Sequence, residues 1–176
     1  MTPSMPHVPA PPALPTTFDR DGLTAVGFTG WRTWAELGAT DYCSVPHAPA
    51  VYVVYHDAAA APAFLPANPG GRFKGKDPTV TRSELDHNWV PGAQVIYIGK
   101  ADIADRRLKQ FGRFGAGEPV GHWGGRLIWQ LADSAELRVA SHPITWAEDA
   151  RAYEKRLLAH FVALHLGLRP FANLTG

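Results

Sequence analysis

The chain has 176 residues, 45% of them hydrophobic, which is enough for one domain with a buried core and too little for two large ones. Its formal net charge of +1 excludes a uniformly basic nucleic-acid binder, so any affinity for a polyanion must come from local clusters of cations. The single cysteine, Cys43, excludes an intrachain disulfide and a cysteine-based zinc site.

No part of the sequence has the pattern of a membrane or targeting segment. The N-terminus lacks a cationic segment followed by an apolar stretch, and no later segment approaches the ~20 apolar residues of a spanning helix. We therefore expect a soluble cytoplasmic protein without a membrane partner, in which Cys43 is reduced and buried as a small hydrophobe.

Residues 1–17 carry six prolines, a composition that favours extended conformations and predicts a mobile tail. A solvated leader is favoured there over a recognition peptide for a proline-reading partner. One domain is expected over residues 18–176, and its first part, 18–46, predicts a lid or short helix packed on the core. The apolar residues that suggest it are Phe28, Trp31, Trp34 and Leu37.

The alternating run Ala50–Tyr55 predicts a strand that carries Tyr52. An insertion rich in alanine, proline and glycine follows at residues 58–92, and long loops of this kind are functional or disordered. Its cations leave two interpretations open, contact with a phosphate backbone or a solvated loop. These cations are Arg72, Lys74 and Lys76.

The run Val95–Ala101 predicts a second strand, which leads into a basic helix. We expect the helix to begin at Asp102, whose side chain can cap its amides, and to end at residues 111–112. Arg107 then lies on an apolar face, where a guanidinium needs an anionic or polar partner. Because Tyr97 is nearby, we favour a phosphate over the alternative that the arginine reaches into solvent.

His122 and Arg126 flank paired glycines ahead of an apolar run that predicts a strand ending near Leu131. A turn at residues 133–134 and a return strand at 137–140 complete this hairpin. We expect both side chains to face a cleft, as proton-transfer and phosphate-binding groups. The alternative that stays open is that His122 only hydrogen-bonds the turn.

The last helix is predicted to begin at Thr145 and Glu148, which have the spacing of a capping box. It is predicted to end at Gly167. Apolar residues recur along it at helical intervals: Tyr153, Leu157, Phe161 and Leu164.

Glu154 lies beside this apolar stripe, where a carboxylate needs a cation. A divalent metal is the favoured cation, and pairing with Arg151 or Lys155 on the same helix is the structural alternative.

Two short motifs resemble the two halves of the GIY-YIG nuclease signature. Ala50-Val51-Tyr52 matches the first half with alanine in place of the first glycine, and Tyr97-Ile98-Gly99 matches the second half fully. Arg107 stands at the spacing of the family's helix arginine, and Lys100 matches the YIGKA form of the nucleotide-excision-repair nucleases. One position departs from the pattern, because the family often has tyrosine or histidine where this chain has Phe111.

The resemblance extends to the end of the chain. Glu154 resembles the family's metal-binding glutamate, and Asn173 resembles the asparagine that follows it. The resemblance implies an α+β domain in which helices flank a small, central, mostly antiparallel three-stranded sheet. The segment 58–92 would be an insertion between the first two strands.

The resemblance also implies a metal-dependent endonuclease that hydrolyses DNA phosphodiester bonds with Mg²⁺ or Mn²⁺, with branched or single-stranded DNA as candidate substrates. Glu154 would hold the metal, which polarises the phosphate. Arg107 would clamp the scissile phosphate, with Lys100 as a nearby point charge.

Tyr52 and Tyr97 would orient or deprotonate the attacking water. A tyrosine titrates near pH 10, so the base role needs cationic surroundings that lower its pKa. Arg107 and Lys100 are the cations expected to provide them, and Asn173 is expected to fix the geometry of the cleft.

Two other functional classes stay open. The near-neutral charge, Ala50 and Phe111 favour an inactive GIY-YIG-like module that binds nucleic acid or protein. An enzyme acting on a small phosphorylated or nucleotide ligand would instead use an aromatic pocket. Its tryptophans would be Trp123, Trp129 and Trp146.

Overall fold

A computed structural model describes residues 8–57 and 61–174. Within them, four strands form one antiparallel sheet in the order β1-β4-β2-β3. The α+β class is confirmed, but the sheet has four strands rather than the expected three, because the segment 18–46 contributes a strand of its own. The strands are β1 (Thr29–Thr33), β2 (Ala50–Tyr55), β3 (Val95–Ala101) and β4 (Arg138–Pro143).

Helices cover both faces of the sheet. Every residue of the central strand β2 is buried, and alternate side chains enter two separate cores. Tyr52 packs on one face with helix α4 (Ala104–Gly115), and Val53 packs on the other face with helix α6 (Ala150–Leu164). The helices are α1 (Arg20–Ala25), α2 (Trp34–Ala39), α3 (Arg82–Asn88), α4 (Ala104–Gly115), α5 (Arg126–Trp129) and α6 (Ala150–Leu164).

The start of α4 differs from the expectation. The helix begins at Ala104 after Ile103, which provides no side-chain cap, and it extends to Gly115. Asp102 is exposed and lies 3.5 Å from the Lys100 ammonium instead of capping the helix. The predicted cap at Asp102 is therefore wrong.

The start of α6 is also set by a different residue. Asp149 caps this helix, because its carboxylate accepts a hydrogen bond of 2.8 Å from the Ala152 amide. The Glu148 carboxylate is occupied by the Arg156 guanidinium at 2.7 Å, so the predicted capping box is wrong. The predicted stop at Gly167 is confirmed, with the left-handed backbone (φ +86°) that a glycine permits.

The predicted strand ending near Leu131 is wrong. A 3₁₀ turn at residues 123–125 leads into the short helix α5, which buries three consecutive side chains. A short apolar run of this kind does not distinguish a strand from a buried helix. The return strand is confirmed as β4.

The insertion packs closely against α5 over its described part, 61–92. The Gln130 amide group donates to the carbonyls of Leu65 and Val80 at 3.1 and 2.9 Å, and the Asn68 amide donates to the Arg126 carbonyl at 2.8 Å. These bonds exclude a fully solvated loop in this part. Residues 58–60 lie outside the described part of the chain.

Of the cations Arg72, Lys74 and Lys76 in the insertion, one forms a salt bridge within the described residues. Arg72 donates to Asp77 at 2.7 Å, whereas Lys74 and Lys76 are exposed. Phosphate contact through these lysines stays a prediction.

Of the tail predicted over residues 1–17, residues 1–7 lie outside the described part of the chain. Leu14 packs against the core on the α6 face, and the Pro15 carbonyl accepts a hydrogen bond of 2.8 Å from His160.

Among the described residues, no helix is long and apolar enough to cross a membrane. Cys43 is exposed, so its expected burial is wrong; the neighbouring Tyr42 enters the core instead.

Candidate active site

Tyr52 and Tyr97 lie together because β2 and β3 are hydrogen-bonded neighbours. Tyr52 pairs with Gly99 across the two strands, and the two tyrosine ring centroids are 6.0 Å apart. A Cβ atom added at Gly99 would lie 2.7 Å from the Tyr52 hydroxyl and 2.7 Å from the Tyr97 ring. The last glycine of the signature is therefore required by the space that both tyrosines occupy.

Arg107 reaches this pair from α4. Its charge acts on the pKa of Tyr52 and of Tyr97, which places the guanidinium close to both phenols. One guanidinium nitrogen, Nη1, donates to Gln110 at 2.8 Å, and Arg107 forms no salt bridge within the described part of the chain. A partly exposed guanidinium with free donors is suited to bind an anion.

Neither tyrosine has the lowered pKa that the expected base role needs. Burial raises the pKa of Tyr52 well above its usual value of 10, and burial also raises the pKa of Tyr97. The Arg107 charge opposes both shifts only in part, because desolvation outweighs it. Both phenols keep their protons at neutral pH, so the expected lowering of their pKa is wrong.

The two tyrosines also differ in access. Tyr52 is completely buried, so it can hold its neighbours in place but does not reach solvent. Tyr97 is partly exposed, and its phenol remains available to orient a water molecule.

Glu154 and Lys100 lie on the opposite side of β3 from the tyrosine pair. Lys100 alternates with Gly99 along the strand, so its side chain leaves toward the α6 face, which Ile98 shares. Burial raises the pKa of the Glu154 carboxyl, and the charge and backbone amide of Lys100 oppose that shift, followed by Arg151 and Arg169. Glu154 is therefore a partly buried carboxylate with three cations around it.

Tyr97 connects the two sides. Burial raises the pKa of Tyr97; the Arg107 charge opposes this shift, and the Glu154 charge adds to it. The phenol thus lies within electrostatic reach of the α4 arginine and of the α6 glutamate. The structure brings together Tyr52, Tyr97 and Arg107 on one side and Lys100 with Glu154 on the other, at the edge strand of the sheet.

Glu154 fits a metal only as a single protein ligand. Within the described residues, no group of three or more His, Cys, Asp or Glu side chains could hold an ion, and Glu154 forms no salt bridge there. Magnesium keeps several waters and takes phosphate oxygens, so a single carboxylate that forms no salt bridge among the described residues suits it, although Lys100, Arg151 and Arg169 lie within electrostatic reach of that carboxylate. A metal bound by protein side chains alone does not fit this site.

His122 was expected to face a cleft or to hydrogen-bond the turn, and its ring does neither within the described residues. It is 1% exposed and lies parallel to Phe111, with ring centroids 3.6 Å apart, and neither ring nitrogen has a partner in the described part of the chain. Burial and then the Arg107 charge lower the pKa of His122 to about 3, so the imidazole is neutral. Gly125 brings this turn against Phe111, because a Cβ atom there would overlap the phenylalanine ring.

Arg126 lies over Trp123, with its guanidinium carbon 5.0 Å from the ring centroid. Its Nη1 donates to the Trp123 carbonyl at 3.4 Å. These contacts involve none of the other predicted site residues, so phosphate binding by Arg126 stays a prediction.

Asn173 holds the free edge of β3. Its amide oxygen accepts from the Ile98 amide at 2.8 Å, and its amide nitrogen donates to the Ile98 carbonyl at 2.7 Å. The neighbouring Ala172 donates to the Ile96 carbonyl at 2.8 Å. The Asn173 side chain thus pairs with the backbone of Ile98, which lies between Tyr97 and Gly99, as a residue of a neighbouring strand would. This pairing suits the expected role of Asn173 in fixing the geometry of the cleft.

Sequence reasoning missed two neighbours of the site. Gln110, the partner of Arg107, lies three residues further on α4, a spacing at which helix side chains meet. Arg151, three residues before Glu154 on α6, was expected as a partner of that carboxylate, and its charge opposes the rise that burial causes in the pKa of Glu154. Arg169 comes from the C-terminal segment, and no local pattern connects it to Glu154.

The three tryptophans proposed for an aromatic pocket do not form one. Trp129 belongs to the core on the α4 face, and Trp146 belongs to the core on the α6 face, where it packs on Tyr153. The sheet separates them.

No protein-family model, no curated protein and no solved structure matches this chain. The resemblance to the GIY-YIG nucleases therefore stays an expectation that rests on the sequence motifs.

Proposed function

We propose that this chain is a metal-dependent GIY-YIG-type endonuclease that hydrolyses DNA phosphodiester bonds. One observation carries the proposal: Tyr52 and Tyr97 meet across the paired strands β2 and β3, with ring centroids 6.0 Å apart, and the Arg107 guanidinium and the Glu154 carboxylate lie within electrostatic reach of Tyr97. Neither charged group forms a salt bridge in the described part of the chain. Phosphodiester hydrolysis needs a cation that binds the phosphate, a carboxylate that holds a metal and a group that orients water. This edge of the sheet offers one of each.

Arg107 binds the non-bridging oxygens of the scissile phosphate, because its guanidinium is always charged and donates in a fork. Lys100 adds a second positive charge from the other side of the strand. Charge that builds up on the phosphate during the reaction is stabilised by these fixed donors.

Tyr97 orients the attacking water with its protonated phenol, which can both donate and accept a hydrogen bond. Tyr52 is a positioning residue, since it is buried against Gly99 and touches the reaction only through Tyr97 and Arg107.

Glu154 would hold a magnesium or manganese ion together with water and the substrate phosphate. When bound, the ion supplies Lewis-acid stabilisation of the phosphate and of the leaving oxygen. Arg151 and Arg169 add positive charge around this carboxylate and would draw the DNA backbone toward it.

The test compares the wild type with Glu154→Gln on single-stranded, branched and duplex DNA in the presence of Mg²⁺ or Mn²⁺. We expect the variant to cut about 10²- to 10³-fold more slowly. Glu136→Gln, which changes an exposed carboxylate away from the site, is the matched control and should cut like the wild type. A wild type that cuts none of these substrates and binds no metal in a titration would contradict the proposal.

The second candidate is an inactive module that binds nucleic acid. The burial of Tyr52 and the neutral His122 on Phe111 favour it, because both leave the site short of a proton acceptor. Such a module would bind DNA with an affinity that falls steeply with salt, would not cut it and would be insensitive to Glu154→Gln.

A further inference from the structure

Gln110 holds one end of the Arg107 guanidinium. Its amide oxygen accepts a hydrogen bond of 2.8 Å from Nη1 of Arg107, which precedes it by three residues on α4. Both side chains are partly exposed, whereas the next residue, Phe111, is fully buried in the core. The helix is therefore anchored directly beside this pair, and Gln110 presents its oxygen from a fixed position.

The orientation of the Gln110 amide follows from the chemistry of its partner. A guanidinium carries only N–H donors and no acceptor, so the amide oxygen and not the amide nitrogen must face it. Within the described residues, no carboxylate forms a salt bridge with Arg107. Gln110 thus restrains the guanidinium and leaves its charge uncompensated.

Most other arginines that have a side-chain partner among the described residues pair with a carboxylate, which cancels their charge. These are Arg72, Arg82, Arg113, Arg138 and Arg156. Arg107 donates to an uncharged oxygen instead, and its charge reaches the phenols of Tyr52 and Tyr97. A neutral acceptor at this place keeps the guanidinium free for an anion.

We propose that Gln110 is a positioning residue of the candidate active site, which holds the Arg107 guanidinium beside Tyr97 for the scissile phosphate without neutralising its charge. The inference rests on the proposed function, which supplies the phosphate. A long side chain that is restrained before the substrate arrives loses less conformational entropy on binding. A carboxylate would restrain Arg107 too, but it would compete with the phosphate for the same donors. A neutral amide avoids that competition.

The alternative is that this pair only supports the helix, and two variants separate the roles. Gln110→Glu replaces the amide by a carboxylate that can form a salt bridge with Arg107, and ion pairs at this spacing support a helix. Gln110→Met keeps the length of the side chain but leaves only a weak acceptor. For a purely structural role, Gln110→Glu is the milder change. If Gln110 positions Arg107, Gln110→Glu should be the more damaging change for function, although the fold is unharmed.

The test combines single-turnover cleavage at saturating enzyme with the binding of a fluorescent single strand in EDTA, where cleavage plays no part. We expect Gln110→Glu to cut about 10- to 100-fold more slowly, with an unchanged or higher melting temperature. The slope of log Kd against log salt should fall by about 0.7, as it does when one phosphate contact to a single strand is lost. Gln110→Met should cut roughly 10-fold more slowly with that slope unchanged, because the charge remains and only its direction is lost.

Gln94→Glu is the matched control, because it makes the same chemical change at a partly exposed glutamine that lines a different cavity, together with Phe18 and His165. This control should cut and bind like the wild type. Equal results for Gln110→Glu and the control, or a milder effect of Gln110→Glu than of Gln110→Met, would overturn the inference.

A second comparison shows whether Gln110 acts through Arg107. In an Arg107→Ala background, Gln110→Glu should have no further effect on cleavage or on strand binding, and an undiminished effect there would also overturn the inference. A wild type that binds the strand without cutting it would contradict only the proposed function, since the binding measurements still decide the role of Gln110. A wild type that neither binds nor cuts would overturn both.

Discussion

The two sides of the candidate site are built in opposite ways. On the α4 side, Tyr52 is sealed between β2, β3 and Phe111, and the phenols stay protonated because burial raises their pKa. On the α6 side, Glu154 and Lys100 are partly exposed and charged. The packed side sets the positions of the groups, and the charged side supplies ionic chemistry.

This difference has a consequence for mutations. A change within the packed side should lower stability and activity together, because the same contacts hold the fold and the site. A change of an exposed charged group should lower activity alone. Arg107 extends from the packed side to solvent, so it belongs with the charged groups in this respect.

Arg107→Ala should have the largest effect. Loss of a fixed charge aimed at the phosphate should slow cleavage about 10²- to 10³-fold with little change in melting temperature. Single-turnover cleavage under saturating enzyme measures this. Arg106→Ala changes the exposed neighbour on the same helix, and a comparable loss in that control would show that only general charge matters.

His122 should give the protein a marked sensitivity to acid. An unfolded histidine has a pKa near 6.5, and the folded value is about 3, so the unfolded state binds the extra proton below pH 6.5. The stability contributed by neutral His122 is complete above pH 6.5 and falls as the pH drops towards 3, by roughly 1.4 kcal/mol per pH unit. Urea unfolding between pH 7 and pH 4 would measure the loss.

His122→Phe should remove that pH dependence, because phenylalanine can keep the stack on Phe111 without unpartnered nitrogens. Equal losses of stability in the variant and the wild type between pH 7 and pH 4 would contradict this role of His122.

Gly99→Ala should cost about 1–3 kcal/mol of stability, since the added methyl group needs the space of both tyrosines. Cleavage should fall with it. Gly38→Ala in α2 is the control, because nothing lies within 4 Å of a Cβ atom there, and it should be neutral or stabilising. Thermal unfolding of the two variants distinguishes packing at Gly99 from a general effect of removing glycine.

Asn173→Ala should have a smaller effect on stability, about 1–2 kcal/mol, because it removes the two bonds to Ile98. Hydrogen exchange of the β3 amides would locate the loss at the free edge of the sheet. Asn88→Ala removes an exposed side-chain bond to Glu84 and should leave β3 exchange unchanged. Unchanged exchange in Asn173→Ala would contradict the role of this residue.

The sequence predicted the strands β2 and β3 better than the strand β1 at the opposite edge of the sheet. β2 and β3 are apolar runs with clear ends, and both were expected at their observed places. The edge strand β1 is mostly exposed, and Gly30 and Trp31 have positive φ angles of 105° and 27°. A strand with so little burial leaves no apolar pattern to detect.

The candidate site also has residues whose positions could be predicted from the sequence and residues whose positions could not. Tyr52 and Tyr97 could be placed together because paired strands fix which residues meet, and Arg107 follows from its helix. The place of His122 could not be predicted, since it depends on Phe111, a residue of another element. The phenol pKa values also depend on burial, a property of the whole fold.

The central claim is that Arg107 on one side and Glu154 on the other act on one phosphate. A double-mutant cycle of Arg107→Ala and Glu154→Gln tests it by single-turnover cleavage. If both residues serve one transition state, the double variant should be about as slow as the slower single variant. Rate losses that multiply would show two independent effects and would contradict the account.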